Sequence, residues 1–211
     1  MDKFTTIRSI AAPLPQADID TDTIMPAQFL LRLDRALGRY AFHAARHGTT
    51  PFVLDQPAYK GAQILVTGPR FGIGSSREHA VWGLHDLGLR CLIAPSFGEI
   101  FQANAIRNGL LPICLDANAH ARVLAAAVAV TPITVSLEAC TITIEGEAPL
   151  PFKIAAHDRD TLLQGLDETA RILGHHGAAI AAFEAAQARD TPWLNLTPAQ
   201  LALFQPDRTA A

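Results

Sequence analysis

Cysteine is scarce in this chain. Three occur among 211 residues, Cys91, Cys114 and Cys140, and the odd number and wide spacing argue against a disulfide framework. The same spacing lacks the close-set pattern of an iron–sulfur site. Each cysteine sits in an apolar, strand-like run, so all three are expected to be buried free thiols. Long apolar runs are also missing, and none approaches the roughly 18 residues that a membrane span needs. The opening stretch Met1-Asp2-Lys3-Phe4-Thr5-Thr6-Ile7-Arg8 holds no uninterrupted apolar core followed by a cleavage site. A soluble, reducing, cytoplasmic setting is the expectation. Positive charge is not in excess. The net charge of −3 and pI of about 6.2 exclude the broad basic footprint of a nucleic-acid binder, though a small anion needs only a local site. Apolar material is plentiful: 49% of residues are hydrophobic against 18% charged, ample for a buried core.

The length suits one domain with an appended tail, expected over 1–190 and 191–211, the tail irregular because of Pro192, Pro198 and Pro206. No repeat or low-complexity tract interrupts the chain. Residues 1–30 read as extended and turn-rich, punctuated by Pro13, Pro15 and Pro26. Residues 30–47 carry Leu30, Leu33, Leu37 and Phe42 at helical spacing, with Arg32, Arg35, Arg39, His43 and Arg46 as a wet face.

The centre alternates. Strands are expected at 63–67, 91–94 and 110–115, with Pro112 favouring an edge position for the last. Helices are expected from Ser75 to about Leu87, stopped by Gly88, and from Phe97 to Asn108, capped by Gly109. This order predicts an α/β fold with parallel pairing and crossover helices. An alanine-rich helix over 120–130, short alternating strands at 133–137 and 140–144, and a returning strand at 152–154 follow. Residues 158–188 read as helical with a break at Gly174-His175-His176-Gly177.

The segment Gly68-Pro69-Arg70-Phe71-Gly72-Ile73-Gly74-Ser75-Ser76-Arg77-Glu78-His79 falls between a strand and a helix, where open α/β sheets bind ligands. Gly72 and Gly74 permit positive φ and close backbone approach. The first N–H groups of a helix lack internal partners and attract anions. Ser75 and Ser76 add hydroxyls, and Arg77 adds a planar fork matched to a carboxylate. Ser75 with Glu78 three residues on also fits a capping box. A cap alone accounts for those two residues, but not for two glycines, a second serine and an arginine in the same turn. The loop is no phosphate loop, because Gly-Lys-Ser/Thr is missing. It is neither a dinucleotide fingerprint nor a hydrolase elbow, because both need glycine at the position of Arg77.

Beyond the loop, further blocks run in order: Asp20-Thr21-Asp22-Thr23-Ile24-Met25-Pro26, then Gln28-Phe29-Leu30, then Ile93-Ala94-Pro95-Ser96-Phe97-Gly98-Glu99-Ile100-Phe101, then Asn104 to Pro112, then Gly165-Leu166-Asp167 and Ile180-Ala181-Ala182-Phe183-Glu184. With the loop they resemble the 3-isopropylmalate dehydratase small subunits of the aconitase superfamily across most of residues 10–190. The resemblance implies a swivelling β/β/α domain and a hydro-lyase subunit of leucine biosynthesis, inactive without a large subunit that carries a [4Fe–4S] cluster. It implies Ser75 as the catalytic base, and Ser76 and Arg77 as contacts to a substrate carboxylate, with Gly72 and Gly74 shaping the binding loop. It implies a specificity loop that includes Leu30, Leu31 and Leu33, for which core packing is the alternative. Ile73 stands where many members have cysteine, Ala27 replaces a common lysine, and Thr169-Ala170-Arg171-Ile172 departs from the usual Ile-Gly-Leu-Thr. Those departures leave open the acid: homocitrate, dimethylmalate and citraconate-type substrates stand as alternatives, as does a silent anion-binding module.

Other candidates are weaker. Asp20 and Asp22 would orient Arg or His side chains at the site, or build an Asx-type turn before Pro26. His79 would tune the site or line a helix face. His43 and His47 have the i, i+4 spacing of metal ligands, but no third ligand is evident, and His175-His176 reads as a turn. Isolated copies would form homo-oligomers or remain single; the sequence does not decide.

Overall fold

The alternation of apolar strands and helices is realised in the computed structural model, which describes residues 1–31, 36–194 and 196–202. Four strands form a parallel sheet in the order β2-β3-β4-β5: β2 (Ala11–Leu14), β3 (Ile64–Thr67), β4 (Cys91–Ala94) and β5 (Leu111–Cys114). Every residue of β3 and β4 is buried, as central strands covered on both faces must be. Pro112 lies on β5, an edge strand as expected. A second, antiparallel sheet has the order β1-β6-β7-β8: β1 (Thr6–Ser9), β6 (Ile133–Ser136), β7 (Thr141–Ile144) and β8 (Leu150–Pro151).

The pleat of the parallel sheet sorts its side chains between two cores. Ala11, Ile64, Val66, Cys91, Ile93, Leu111 and Ile113 meet the antiparallel sheet through Ile133, Val135, Ile142 and Ile144. Ala12, Leu14, Leu65 and Leu92 point the other way, with Phe71 and with Ala80, Val81 and Leu84 of α3 (Glu78–Asp86) and Phe101 and Ala105 of α4 (Glu99–Arg107). The result is the α/β fold with parallel pairing expected from the pattern, in the β/β/α arrangement that the resemblance implies.

The remaining helices are α1 (Thr21–Ile24), α2 (His43–Arg46), α5 (Ala117–Val128), α6 (Ala156–Gln164), α7 (Glu168–Asp190) and α8 (Pro198–Ala202). The chain divides into two compact units, Met1–Asp167 and Glu168–Ala211. That division falls ahead of the boundary at 190 read from the sequence. The first unit holds both sheets. The described residues of the second form α7, a 3-10 turn over Pro192–Leu194 and α8, so the described part of the tail from 191 is partly helical rather than irregular.

Several local expectations are corrected. Residues 30–47 do not form one helix. Leu37–Arg39 is a 3-10 turn, α2 is one turn long, and Phe42 takes a left-handed φ of 54°. Tertiary contacts override the periodicity: Asp86 Oδ2 captures the Leu37 N–H at 2.7 Å, and the Phe42 N–H donates to Ile24 O at 2.8 Å. Leu33, Arg32 and Arg35 lie outside the described residues. The break expected at Gly174–Gly177 is absent; α7 runs through it, His175 and His176 included. The helical run is instead interrupted at Gly165, left-handed at φ 66°. The returning strand is Leu150–Pro151 rather than 152–154. Of the cysteines only Cys91 is fully buried, and burial pushes its thiol pKa far up. Cys114 is exposed at the end of β5 and Cys140 is half-buried. Partial covering still raises the Cys114 thiol.

Gly68 ends β3 against the chain at Pro15 and Gln16. A Cβ there would meet Pro15 O at 2.5 Å and Gln16 C at 2.6 Å, both backbone atoms that cannot rotate away. Gly68→Ala is expected to cost about 2 kcal/mol and lower the thermal midpoint by several degrees. Gly174→Ala, in α7 with nothing within 4 Å, is expected to leave the midpoint unchanged or raise it, since alanine is the better helix former. Thermal unfolding followed by circular dichroism checks both; equal midpoints for the two variants would contradict the close approach at Gly68.

Candidate active site

The loop after β3 is held by a second segment, the one that follows β2. Beyond the two parallel strands the backbones stay in register. Gly68 N–H donates to Leu14 O at 3.2 Å, Asp18 N–H to Pro69 O at 3.0 Å, Gly72 N–H to Ile19 O at 2.7 Å, and Thr21 N–H to Ile73 O at 2.9 Å. Asp20 and Ile73 form an isolated parallel bridge. The Asp-Thr-Asp block and the glycine-serine-arginine loop are thus one structural unit, although they lie far apart in sequence.

Glycine is required at two points of this loop. Gly72 is buried, with φ +75°, and a Cβ on it would strike the Phe101 ring, 2.5 Å from Cδ1. Gly74, at φ +96°, is exposed and faces Asp20 and Thr21. On the other side of the loop, Phe71 N–H donates to Ser96 O at 3.2 Å and Gly98 N–H to Phe71 O at 2.9 Å. Arg70 pairs with Asp18.

Ser75 and Ser76 are exposed. The helix begins later than expected, with Arg77 at the N-cap position and Glu78 as its first residue. The capping box is therefore not built. Glu78 Oε1 accepts instead from Asn108 Nδ2 at 2.7 Å, and Arg77 makes no side-chain cap. Ser75 and Ser76 are released from helix capping, and among the described residues their hydroxyls have no protein partner. The N–H groups of Ser75, Ser76, Glu78 and His79 have no protein acceptor there either. These donors lie in the loop that follows β3 and at the start of α3, where the helix dipole favours negative charge.

Arg77 is anchored. Its Nη1 is bonded to Asp22 Oδ1. The Arg77 side chain is 19% exposed and that of Asp22 51%, so the arginine is the sunken, pre-set partner, and the rest of its fork stays available. Asp20 plays a different part. It caps α1, accepting the Thr23 N–H at 2.6 Å. Hydrogen bonding from Thr23, hydroxyl first and backbone second, lowers its carboxyl pKa below the usual carboxylate value; partial burial opposes this and the Arg77 charge adds to it. Of the two aspartates, then, one orients the arginine and the other builds the turn.

His79 is half-buried on α3 with its ring 4.6 Å from that of Trp82. Leu30 is partly buried against the core, whereas Leu31 is 93% exposed, so the two residues of the expected specificity loop that are described differ sharply. The His43 and His47 rings lie 4.1 Å apart, tilted at 39°, with His47 Nδ1 2.8 Å from His43 O. Among the described residues no three His, Cys, Asp or Glu side chains come together as a metal group. One residue of the site was not singled out from the sequence: Thr21, 1% exposed, whose hydroxyl reaches the loop. A threonine between two aspartates offers no pattern that distinguishes it from its neighbours.

Comparison with known proteins bears on the family and the fold. Residues 1–118 match the family model described as the Aconitase C-terminal domain. Residues 175–197 match the model for the C-terminal domain of the 3-isopropylmalate dehydratase small subunit. The small subunit of 3-isopropylmalate dehydratase from Paracoccus denitrificans is 43% identical over 202 residues, covering 92% of this chain and all of that protein. Its counterpart from Granulibacter bethesdensis is 44% identical over 200 residues, covering 92% and 96%. A crystal structure of 3-isopropylmalate dehydratase from Methanocaldococcus jannaschii has the same fold, with a TM-score of 0.64 over 85% of this chain and 99% of that one at 24% identity. The match over residues 1–118, more than half of the chain, defines an aconitase-type domain. Within that class, the chain belongs to the family of 3-isopropylmalate dehydratase small subunits, which are lyase subunits.

The Asp20 cap carries a pH dependence. A depressed native pKa stabilises the fold fully above the ordinary carboxylate range, and the contribution is lost as pH falls through the lower native value. Asp20→Ala is expected to lose roughly 0.5–2 kcal/mol at pH 7, with the gap to the wild type closing below about pH 4. Urea unfolding at neutral pH and at about pH 3.5 checks this; a gap that widens on acidification would contradict the assignment.

Proposed function

We propose that this chain is the metal-free half of a hydro-lyase site, converting 2-isopropylmalate to 3-isopropylmalate by dehydration and rehydration in leucine biosynthesis. The observation that carries the reading is the set of unpartnered donors at Ser75 and Ser76 beside the anchored Arg77. Such a set suits a carboxylate and a developing negative charge. The donor chemistry of this chain does not fit an iron–sulfur cluster: Cys91 is inside the parallel sheet, Cys114 at a strand end and Cys140 in a turn. The cluster is assigned to the large partner subunit, where it would supply Lewis-acid chemistry to the substrate hydroxyl.

The work of this chain's own residues follows from their chemistry. Arg77 and the Ser76 hydroxyl hold a substrate carboxylate. Ser75 takes the proton from the carbon next to that carboxylate in the dehydration and returns a proton in the rehydration. A serine hydroxyl is a poor base at its ordinary pKa, so an alkoxide-like form must be stabilised. The Arg77 charge, the free N–H groups and the helix N-terminus provide that stabilisation.

The test is reconstitution with a cluster-loaded large subunit, assayed on 2-isopropylmalate, homocitrate, dimethylmalate and citraconate. Turnover of 2-isopropylmalate is expected. Turnover of another acid alone would move the substrate assignment, and no turnover with any acid would leave a silent binding module. Ser75→Ala is expected to lower kcat by about two to four orders of magnitude with KM little changed. Arg77→Lys, which keeps the charge but not the fork, is expected to raise KM about 10- to 100-fold. Near-normal kcat in Ser75→Ala would remove that residue from the mechanism.

A further inference from the structure

Thr21 reaches the candidate base from the far end of the segment paired with the loop. Its hydroxyl donates to Ser75 O at 3.0 Å. Its backbone N–H donates to Ile73 O at 2.9 Å. It is 1% exposed, so the donor side of both bonds is shielded from bulk water. One residue therefore pins two loop carbonyls, and Gly74 lies between them. Gly74 is exposed and sits at φ +96°, the residue that would otherwise give the loop the most conformational freedom.

We propose that Thr21 is a positioning residue that fixes the Ser75–Ser76 peptide plane and so aims the Ser75 hydroxyl and the Ser76 N–H at the substrate. The inference rests on the reading of Ser75 as the base. Ser75 O also accepts the Arg77 N–H at 2.8 Å, so the carbonyl has two donors and its direction is set. A planar trans peptide places its N–H opposite its carbonyl oxygen. With the oxygen held toward buried Thr21, the Ser76 N–H points away from the interior, where no described residue accepts it. The neighbouring Asp22 binds Arg77. A single turn of helix, α1, thus sets the backbone of the base through Thr21 and the carboxylate fork through Asp22.

Thr21→Val keeps the shape and removes the hydroxyl, and Thr21→Ser keeps the hydroxyl. In the complex with the large subunit, Thr21→Val is expected to lower kcat about 10- to 100-fold with KM changed less than about threefold, and Thr21→Ser to restore most of kcat. In the isolated full chain, exchange of the Arg77 amide, whose N–H donates to Ser75 O, is expected to quicken in Thr21→Val and not in Thr21→Ser. Wild-type kcat in Thr21→Val, a KM rise that matches the loss, failure of Thr21→Ser to restore, or unchanged exchange would each overturn the proposal. If Thr21→Val does not fold, Thr21→Ala, which leaves room for a water, is read by the same criteria. No turnover by the wild-type complex on any acid would instead sink the functional reading, and the exchange comparison would still decide whether Thr21 anchors the loop.

Discussion

The site depends on one piece of backbone pairing. The parallel ladder of β2 and β3 does not stop where the strands stop; it continues as hydrogen bonds between residues 14–21 and 68–73. Loops past strand ends usually have to satisfy their polar groups with water or side chains. Here two such loops satisfy each other. That pairing brings Asp20, Thr21 and Asp22 beside Gly74, Ser75 and Arg77 at a fixed offset. Without it the serine loop would be a loose glycine-rich connection, and the arginine would have no carboxylate to hold it.

Packing below the loop makes the constraint strict. Gly72 lies against the Phe101 ring, and Gly98 lies against Gly72, its would-be Cβ 2.5 Å from Gly72 O. Three elements, the loop after β3, the loop after β4 and helix α4, therefore meet with no space for a methyl group between them. Phe71 adds edge-on ring contacts to Phe97 and Phe101 at the same place. A densely packed base allows only one loop conformation, so the exposed serines above it can be well placed without being buried themselves.

Much of this is legible in the sequence, for definable reasons. The strands at 64–67, 91–94 and 111–114 are short apolar runs bounded by glycine and proline, and α4 ends at Gly109, which is left-handed at φ 80°. Such signals are local, and tertiary contacts reinforce them. The start of α3 is not legible, because Ser75 and Glu78 form a valid local capping pattern, yet Gly74 is left-handed and Arg77 takes an extended backbone ahead of the first helical residue, Glu78. Residues 30–47 mislead for a related reason: the apolar spacing is helical, but Asp86 takes the N–H of Leu37 and α3 packs close to Gly38. The ion pair between Asp22 and Arg77 and the bond from Thr21 to Ser75 link residues 55 and 54 positions apart. No spacing rule within one segment can reveal such contacts.

The openness of the site bears on how it works. Backbone N–H groups and serine hydroxyls with no protein partner would be costly if buried, and here water can satisfy them because the serines are exposed. The same exposure would weaken them in the proposed catalytic role, since charge stabilisation by fixed donors is strong only where water is excluded. An anchored arginine and a glycine loop with two positive φ angles are nevertheless maintained at this surface. These properties are reconciled if the loop is one wall of a site that closes against a second chain. Closure would exchange water for substrate carboxylate on donors already in position, and the stabilisation of an alkoxide at Ser75 would arise only then. On this account the small subunit supplies preorganised geometry and its partner supplies the low-dielectric enclosure, so neither half is expected to turn over substrate alone.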